Sequence, residues 1–155
     1  MRAASDIAKY IIYKYWQEGK NITNLKLQKI LYYVQGYSFF CCNEPAYEED
    51  IYRWPYGPVV PDVYFEYNRF RANSLPEPDN DEVTLITREM KRDTAFLSVV
   101  DSVVQASYRY DAGELVDKTH EEAPWKETKD SEIIKQSLIE KYFNAHDPLG
   151  IRRSL

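Results

Sequence analysis

Arg53-Trp54-Pro55-Tyr56-Gly57-Pro58-Val59-Val60-Pro61 sets three prolines, one glycine and two aromatic residues in nine positions. Neither a helix nor a regular strand is expected to hold it. Each proline lacks a backbone donor and pushes the residue before it toward the extended region. A stiff, extended connector is expected, with Gly57 as the one position that takes positive φ or lets another backbone approach. Trp54, Tyr56 and Val59 carry more apolar area than a solvated loop needs. The segment is therefore expected to dock between helices as a structural clamp that positions a smaller partner-facing edge, with Arg53 and Tyr56 on it.

The flanking periodicity gives helices. Upstream, a second helix begins at Thr23 or Asn24, ends near Asn43-Glu44-Pro45 and repeats Leu27, Ile30, Leu31, Val34 and Cys41 at helical spacing. Lys26 and Lys29 are expected to point outward. Tyr32, Tyr33 and Tyr37 widen the apolar arc past a single stripe, so this helix is expected at the centre. A first helix spans about Ser5 to Glu18 and stops at Gly19. Downstream, Pro61 suits the first position of a third helix, with Asp62 in its first turn and Val63, Tyr64, Tyr67 and Phe70 on its core face.

Phe96, Leu97, Val100, Val103, Val104 and Tyr108 mark a further helix, entered through Arg88 to Asp93. Asp111 and Glu114 form a capping-box pattern for a short helix ending near Thr119. A loop with Pro124 and Trp125 leads to a last helix from about Ser131 to Asn144. Ala72 to Glu82 reads as a polar loop, and short strands are expected near 50–54 and 83–86, paired with each other. The fold class is mainly α: one compact domain, residues 5–146, of five to six helices around the second, followed by a flexible tail from Asp147 to Leu155.

The 155 residues are 44% hydrophobic and 29% charged, an ordinary globular composition apart from 14 tyrosines, 11 of them within the first 67 residues. Such an excess serves either core packing with wet edges or a protein interface. The net charge of −5 argues against a sequence-independent nucleic-acid binder. Residues 1–40 nevertheless hold six Lys or Arg against two acidic residues, a locally basic end that an acidic partner would favour. No apolar run approaches the ~20 residues of a membrane span, and Lys9 and Lys14 interrupt any signal-peptide core. The two cysteines, Cys41 and Cys42, are adjacent, which fits a reducing cytosol and neither a disulfide framework nor a zinc knuckle.

Catalytic chemistry finds little support. A nucleophile from Cys41 or Cys42 with His120 and Glu121 lacks a glycine-rich nucleophile turn, and Cys41 lies on an apolar helix side. The five glycines build no phosphate loop, so no nucleotide cofactor is expected. Glu44, Glu48, Glu49 and Asp50 show no ordered ligand spacing, so no metal is expected. A helix-turn-helix from the first two helices would need a polar recognition helix, whereas the second is the most apolar in the chain.

Thr23-Asn-Leu-Lys-Leu-Gln-Lys-Ile-Leu-Tyr-Tyr33, Gln35-Gly36, Trp54, Tyr56-Gly-Pro-Val59, Thr119-His120 and Pro124-Trp125, in this order and spacing, resemble the Panacea domain. This is the family of SocA-like and GepA-like phage-associated antitoxins, and the resemblance covers roughly residues 5–145. It implies a helical cytoplasmic domain that serves as the antitoxin of a toxin-antitoxin pair by binding its cognate protein toxin. One branch of the family hands its toxin to the ClpXP protease, so a proteolytic adaptor is the alternative, with Arg152 and Arg153 of the tail as the second contact. Some members add a DNA-binding module and repress their own operon; the length of this chain leaves no room for one, and a DNA-binding regulator ranks last. The resemblance implies structural roles for Leu27, Gln28, Tyr32, Tyr33, Trp54, Gly57, Pro58, His120, Pro124 and Trp125. Partner binding is expected from Arg53, Tyr56 and Tyr64 beside Lys26 and Lys29.

Overall fold

A helix whose apolar residues extend past a single stripe has to be covered on more than one side. The second helix, α2 (Asn24–Cys42), is covered in that way: from Asn24 to Phe39 only Leu25 escapes burial. Its ends follow from local chemistry. The Thr23 hydroxyl accepts from Lys26 N at 3.3 Å, and Asn43 closes the helix in the left-handed conformation at φ 59°. In this computed structural model, which describes residues 2–155, α2 is packed by α1 (Ala4–Gln17), α3 (Pro61–Tyr67), α5 (Thr94–Ser107), α6 (Ala112–His120) and α8 (Gln136–Ala145). The remaining elements are α4 (Asn80–Met90), the single turn α7 (Ala123–Lys126), and a hairpin of β1 (Tyr52–Trp54) with β2 (Gly57–Val59). No helix is long and apolar enough to cross a membrane among the described residues.

The chain is mainly helical, as its periodicity requires, and both halves of the Asp111/Glu114 capping box form, at 2.7 and 2.9 Å. Pro61 opens α3. Where α8 crosses α2, Gly36 leaves room for the Phe143 ring; a Cβ there would lie 2.3 Å from that ring. Tyr32, Tyr33 and Tyr37 then meet Phe143 edge-on, with centroids 5.2 to 6.1 Å away.

Six of the tyrosines in the first half are core residues, and each hydroxyl has a partner: Asp101 for Tyr10, Ser107 for Tyr15, Glu122 for Tyr32 and Tyr33, Asp147 for Tyr37, and the Leu31 carbonyl for Tyr47. Most of the tyrosine excess in this half therefore serves packing between elements distant in sequence.

Four expectations need correction. The proline stretch does form strands. Its register pairs Trp54 with Gly57 and Arg53 with Pro58, which leaves Pro55 and Tyr56 as the turn. Arg53 sits at a ladder position whose N–H and C=O face away from Pro58, toward Glu132 and Ser131, both at 2.9 Å. Opposite such a residue the missing donor of Pro58 breaks no ladder bond.

Residues 83–86 are not the partner strand; they lie within α4, with Asp79 as its N-cap. That helix and α7 lie outside the expected five to six. The segment from Asp147, expected as a free tail, is docked: Leu149 and Ile151 are buried, and Arg152 donates to the carbonyls of Phe143, Asn144 and His146 at the end of α8.

Finally, Lys26 and Lys29 do not point outward. Lys29 is fully buried, and Lys26 is 9% exposed with its ammonium 5.1 Å from the Tyr15 ring centroid. Lys9 is engaged by Glu66 and Glu82, and Arg2 by Asp93, so four of the six basic residues at this end of the sequence are buried or paired.

Candidate partner-binding site

Three buried polar side chains of α2 hold the hairpin and α3. Lys29 Nζ donates to the Pro58 carbonyl at 2.9 Å. From the preceding residue, the Gln28 carboxamide accepts from Val60 N at 2.9 Å while donating to Asn24 Oδ1, and Asn24 in turn donates to the Tyr64 carbonyl. Gly57 passes over this contact at φ +108°, where a Cβ would lie 2.7 Å from Lys29 Cε and 2.8 Å from Thr119 Oγ1. Glycine is thus required twice at this position, by backbone conformation and by space. Burial without an anionic partner pulls the Lys29 ammonium down to about 7.

The far side of the hairpin is fixed by α6 and α7. Trp125 Nε1 donates to the Trp54 carbonyl at 2.9 Å, and His120 stacks on the Trp125 ring at 4.0 Å. On the same indole, the Arg53 guanidinium lies 3.7 Å from the ring centroid; it also donates to the Trp125 carbonyl and pairs with Asp130. Between these helices Glu122 is 3% exposed and accepts from the hydroxyls of Tyr32 and Tyr33 at 2.9 and 2.8 Å. Burial pushes its carboxyl up to about 7 despite those two donors. The outer edge of β1 is covered too, by Ser131 to Ile134.

What the hairpin leaves exposed is aromatic. Trp54 meets Tyr64 at 5.0 Å and Phe65 at 6.0 Å, and Tyr64 meets Phe65 at 5.4 Å. Tyr56 at the turn is 69% exposed and Phe65 61%. Beside them runs a groove of about 450 Å³, floored by Leu25, Gln28 and Val59 and walled by Trp54, Tyr56, Tyr64 and Arg71. Large aromatic residues exposed together on a backbone held from both sides are the composition of protein-binding hot spots.

The profile of the family described as "Antitoxin SocA-like, Panacea domain" matches residues 27–126. The chain belongs to this family. No curated protein and no solved structure matches it. The matched span starts at Leu27 on α2 and ends one residue past Trp125, so it takes in the hairpin, Gln28, Lys29 and Trp125 of the clamp, and all of the groove lining except Asn24 and Leu25.

Of the residues that the sequence singles out for a partner, the fold brings Tyr56 and Tyr64 into one groove and separates the others from it. Arg53 packs on Trp125, while Lys26 and Lys29 are inside. Gln28, Gly57, Pro58, His120 and Trp125 take part in the clamp, Tyr32 and Tyr33 hold Glu122 beside it, Leu27 and Pro124 are buried, and Trp54 joins clamp to groove. Sequence reasoning misses Phe65, Arg71 and Glu122. The first two lie beyond the proline stretch, and nothing local marks Glu122 as buried. Cys42, weighed as a nucleophile, has its thiol pushed up to about 11 by burial and the neighbouring Cys41, the opposite of activation.

Proposed function

We propose that this SocA-like family member is a non-enzymatic cytoplasmic antitoxin that neutralises a cognate protein toxin by direct binding through the Trp54, Tyr56, Tyr64 and Phe65 surface. The observation that carries the reading is the aromatic cluster that Trp54 and Tyr56 of the hairpin form beside Tyr64 and Phe65 of α3, on a backbone clamped by Lys29, Gln28 and Trp125. All of the groove lining except Asn24 and Leu25 falls within a span matched to an antitoxin family. A surface whose backbone is already fixed loses little conformational freedom when a partner docks, which leaves more of its contact energy for affinity. Neutralisation is steric: the aromatic wall covers the toxin's working surface and excludes water from it.

Co-expression with the product of the adjacent gene tests the proposal. The expected result is growth arrest by that product alone, rescue by this protein, and a complex that survives gel filtration. Arrest that persists in the presence of this protein contradicts the reading.

A further inference from the structure

The groove combines an apolar aromatic lining with a single positive charge. Of 25 acidic residues in a chain of net charge −5, none lines it. Its only charged lining residue is Arg71, which is exposed and makes no ion pair among the described residues. Glu66, on the same helix as Tyr64, is turned away to Ser5 and Lys9.

Arg71 is also held in an unusual backbone conformation. It sits at φ 53°, ψ −125°, after the helical turn Asn68–Phe70, with its N–H bonded to the Asn68 carbonyl at 3.0 Å. A residue with a side chain seldom adopts positive φ; here that conformation closes the helical turn, as at Asn43 after α2, and fixes the backbone from which Arg71 projects. Of the remaining polar lining groups, the hydroxyls of Tyr56 and Tyr64, the indole N–H of Trp54 and the amide of Asn68 can donate, while the amides of Asn24 and Gln28 are engaged with each other, with Val60 N and with the Tyr64 carbonyl.

We infer that the groove takes a carboxylate-bearing apolar segment of the partner protein. Its apolar side chains lie among Trp54, Tyr56 and Tyr64, and its Asp or Glu sits on Arg71. The inference rests on the antitoxin reading and narrows it to one class of partner surface. Arg is the side chain best shaped for two-point recognition of a carboxylate, and an apolar floor beside it lowers the competition from water.

The test selects random twelve-residue peptides displayed on phage against the full-length protein, with counter-selection on Tyr56→Ser. Both Tyr56 and Arg71 are exposed, so their variants keep the fold, and an unchanged melting temperature verifies it. The expected enrichment is Asp or Glu next to Leu, Phe, Tyr or Trp. Arg71→Glu weakens the enriched peptides by about tenfold, and Arg71→Lys keeps part of the binding. Binding also falls as salt is raised across the range that shortens the screening length from about 10 Å to about 3 Å. Enriched peptides without acidic residues, peptides that bind Arg71→Glu equally well, failure to recover any Tyr56-dependent binder, or closure of the groove by a second copy in light scattering would each overturn the inference. Co-expression separates this failure from that of the antitoxin reading: rescue that survives Arg71→Glu removes the carboxylate contact and leaves the antitoxin intact.

Discussion

Lys29 Nζ donates to the Pro58 carbonyl oxygen at 2.9 Å from a side chain with no solvent exposure, so the central helix grips the hairpin through a buried amine. Its counterpart is Glu122, a buried carboxyl that the Tyr32 and Tyr33 hydroxyls hold on the other side of the hairpin.

These two groups make stability depend on pH in opposite senses. Burial raises Glu122 from 4.5 to about 7, so across that interval the folded chain keeps a proton that the unfolded chain has released, and stability falls as pH rises. Burial lowers Lys29 from 10.5 to about 7, so above 7 the unfolded chain holds the extra proton and stability rises with pH. The expected result is a minimum of stability near neutrality in urea unfolding across about pH 5 to 9, each limb on the order of 2 kcal/mol. Glu122→Gln flattens the acid limb and Lys29→Met the alkaline one. A wild-type curve with its maximum near pH 7 contradicts the assignment.

Gly57→Ala places a methyl group against Lys29 Cε and Thr119 Oγ1 at a residue held at φ +108°. Loss of about 2 kcal/mol or more is expected, because the strained backbone and the crowding act together. Thermal melting measures it, and a melting temperature within a degree of wild type disproves the tight passage of the hairpin over α2.

Asp147 accepts from the Tyr37 hydroxyl at 2.6 Å and from the backbone of Ile151 and Arg152. Burial is the largest single effect and raises its carboxyl, but these bonds and the nearby Arg152 together outweigh it and hold the carboxyl below the usual range. Its stabilising effect is present at neutral pH and disappears on acidification through the lowered value. Asp147→Ala is expected to lose about 1 to 3 kcal/mol and to release the C-terminal segment to limited proteolysis. Unchanged protease resistance removes Asp147 as the anchor of that segment.

Much of the fold is legible in the sequence because it is decided locally. Thr23 and Asn43 bound α2, Pro61 opens α3, and Asp111 with Glu114 caps α6; each acts within one helical turn. What is not legible depends on distant contacts. The prolines argue against strands until the register is known, and only then does Pro58 fall at a position that needs no donor. Lys29 reads as a solvated charge because its acceptor lies 29 residues away. The docking of residues 147–155 depends on Tyr37, 110 residues earlier.

The site follows the same division. Tyr56 is visible as an exposed aromatic on a rigid segment; Tyr64, which the helical spacing places on a core face, is half-buried in the groove wall, and Phe65 and Arg71 belong to the surface only because α3 lies beside the hairpin.

The central claim is that the clamped hairpin presents an aromatic surface to a toxin, and the Tyr56→Ser/Phe65→Ser double variant tests it most directly. Both residues are exposed, so the melting temperature is expected to stay within a few degrees of wild type. Affinity for the co-expressed toxin is expected to fall about a hundredfold, with loss of growth rescue. A double variant that folds, binds and rescues as well as wild type would contradict the account.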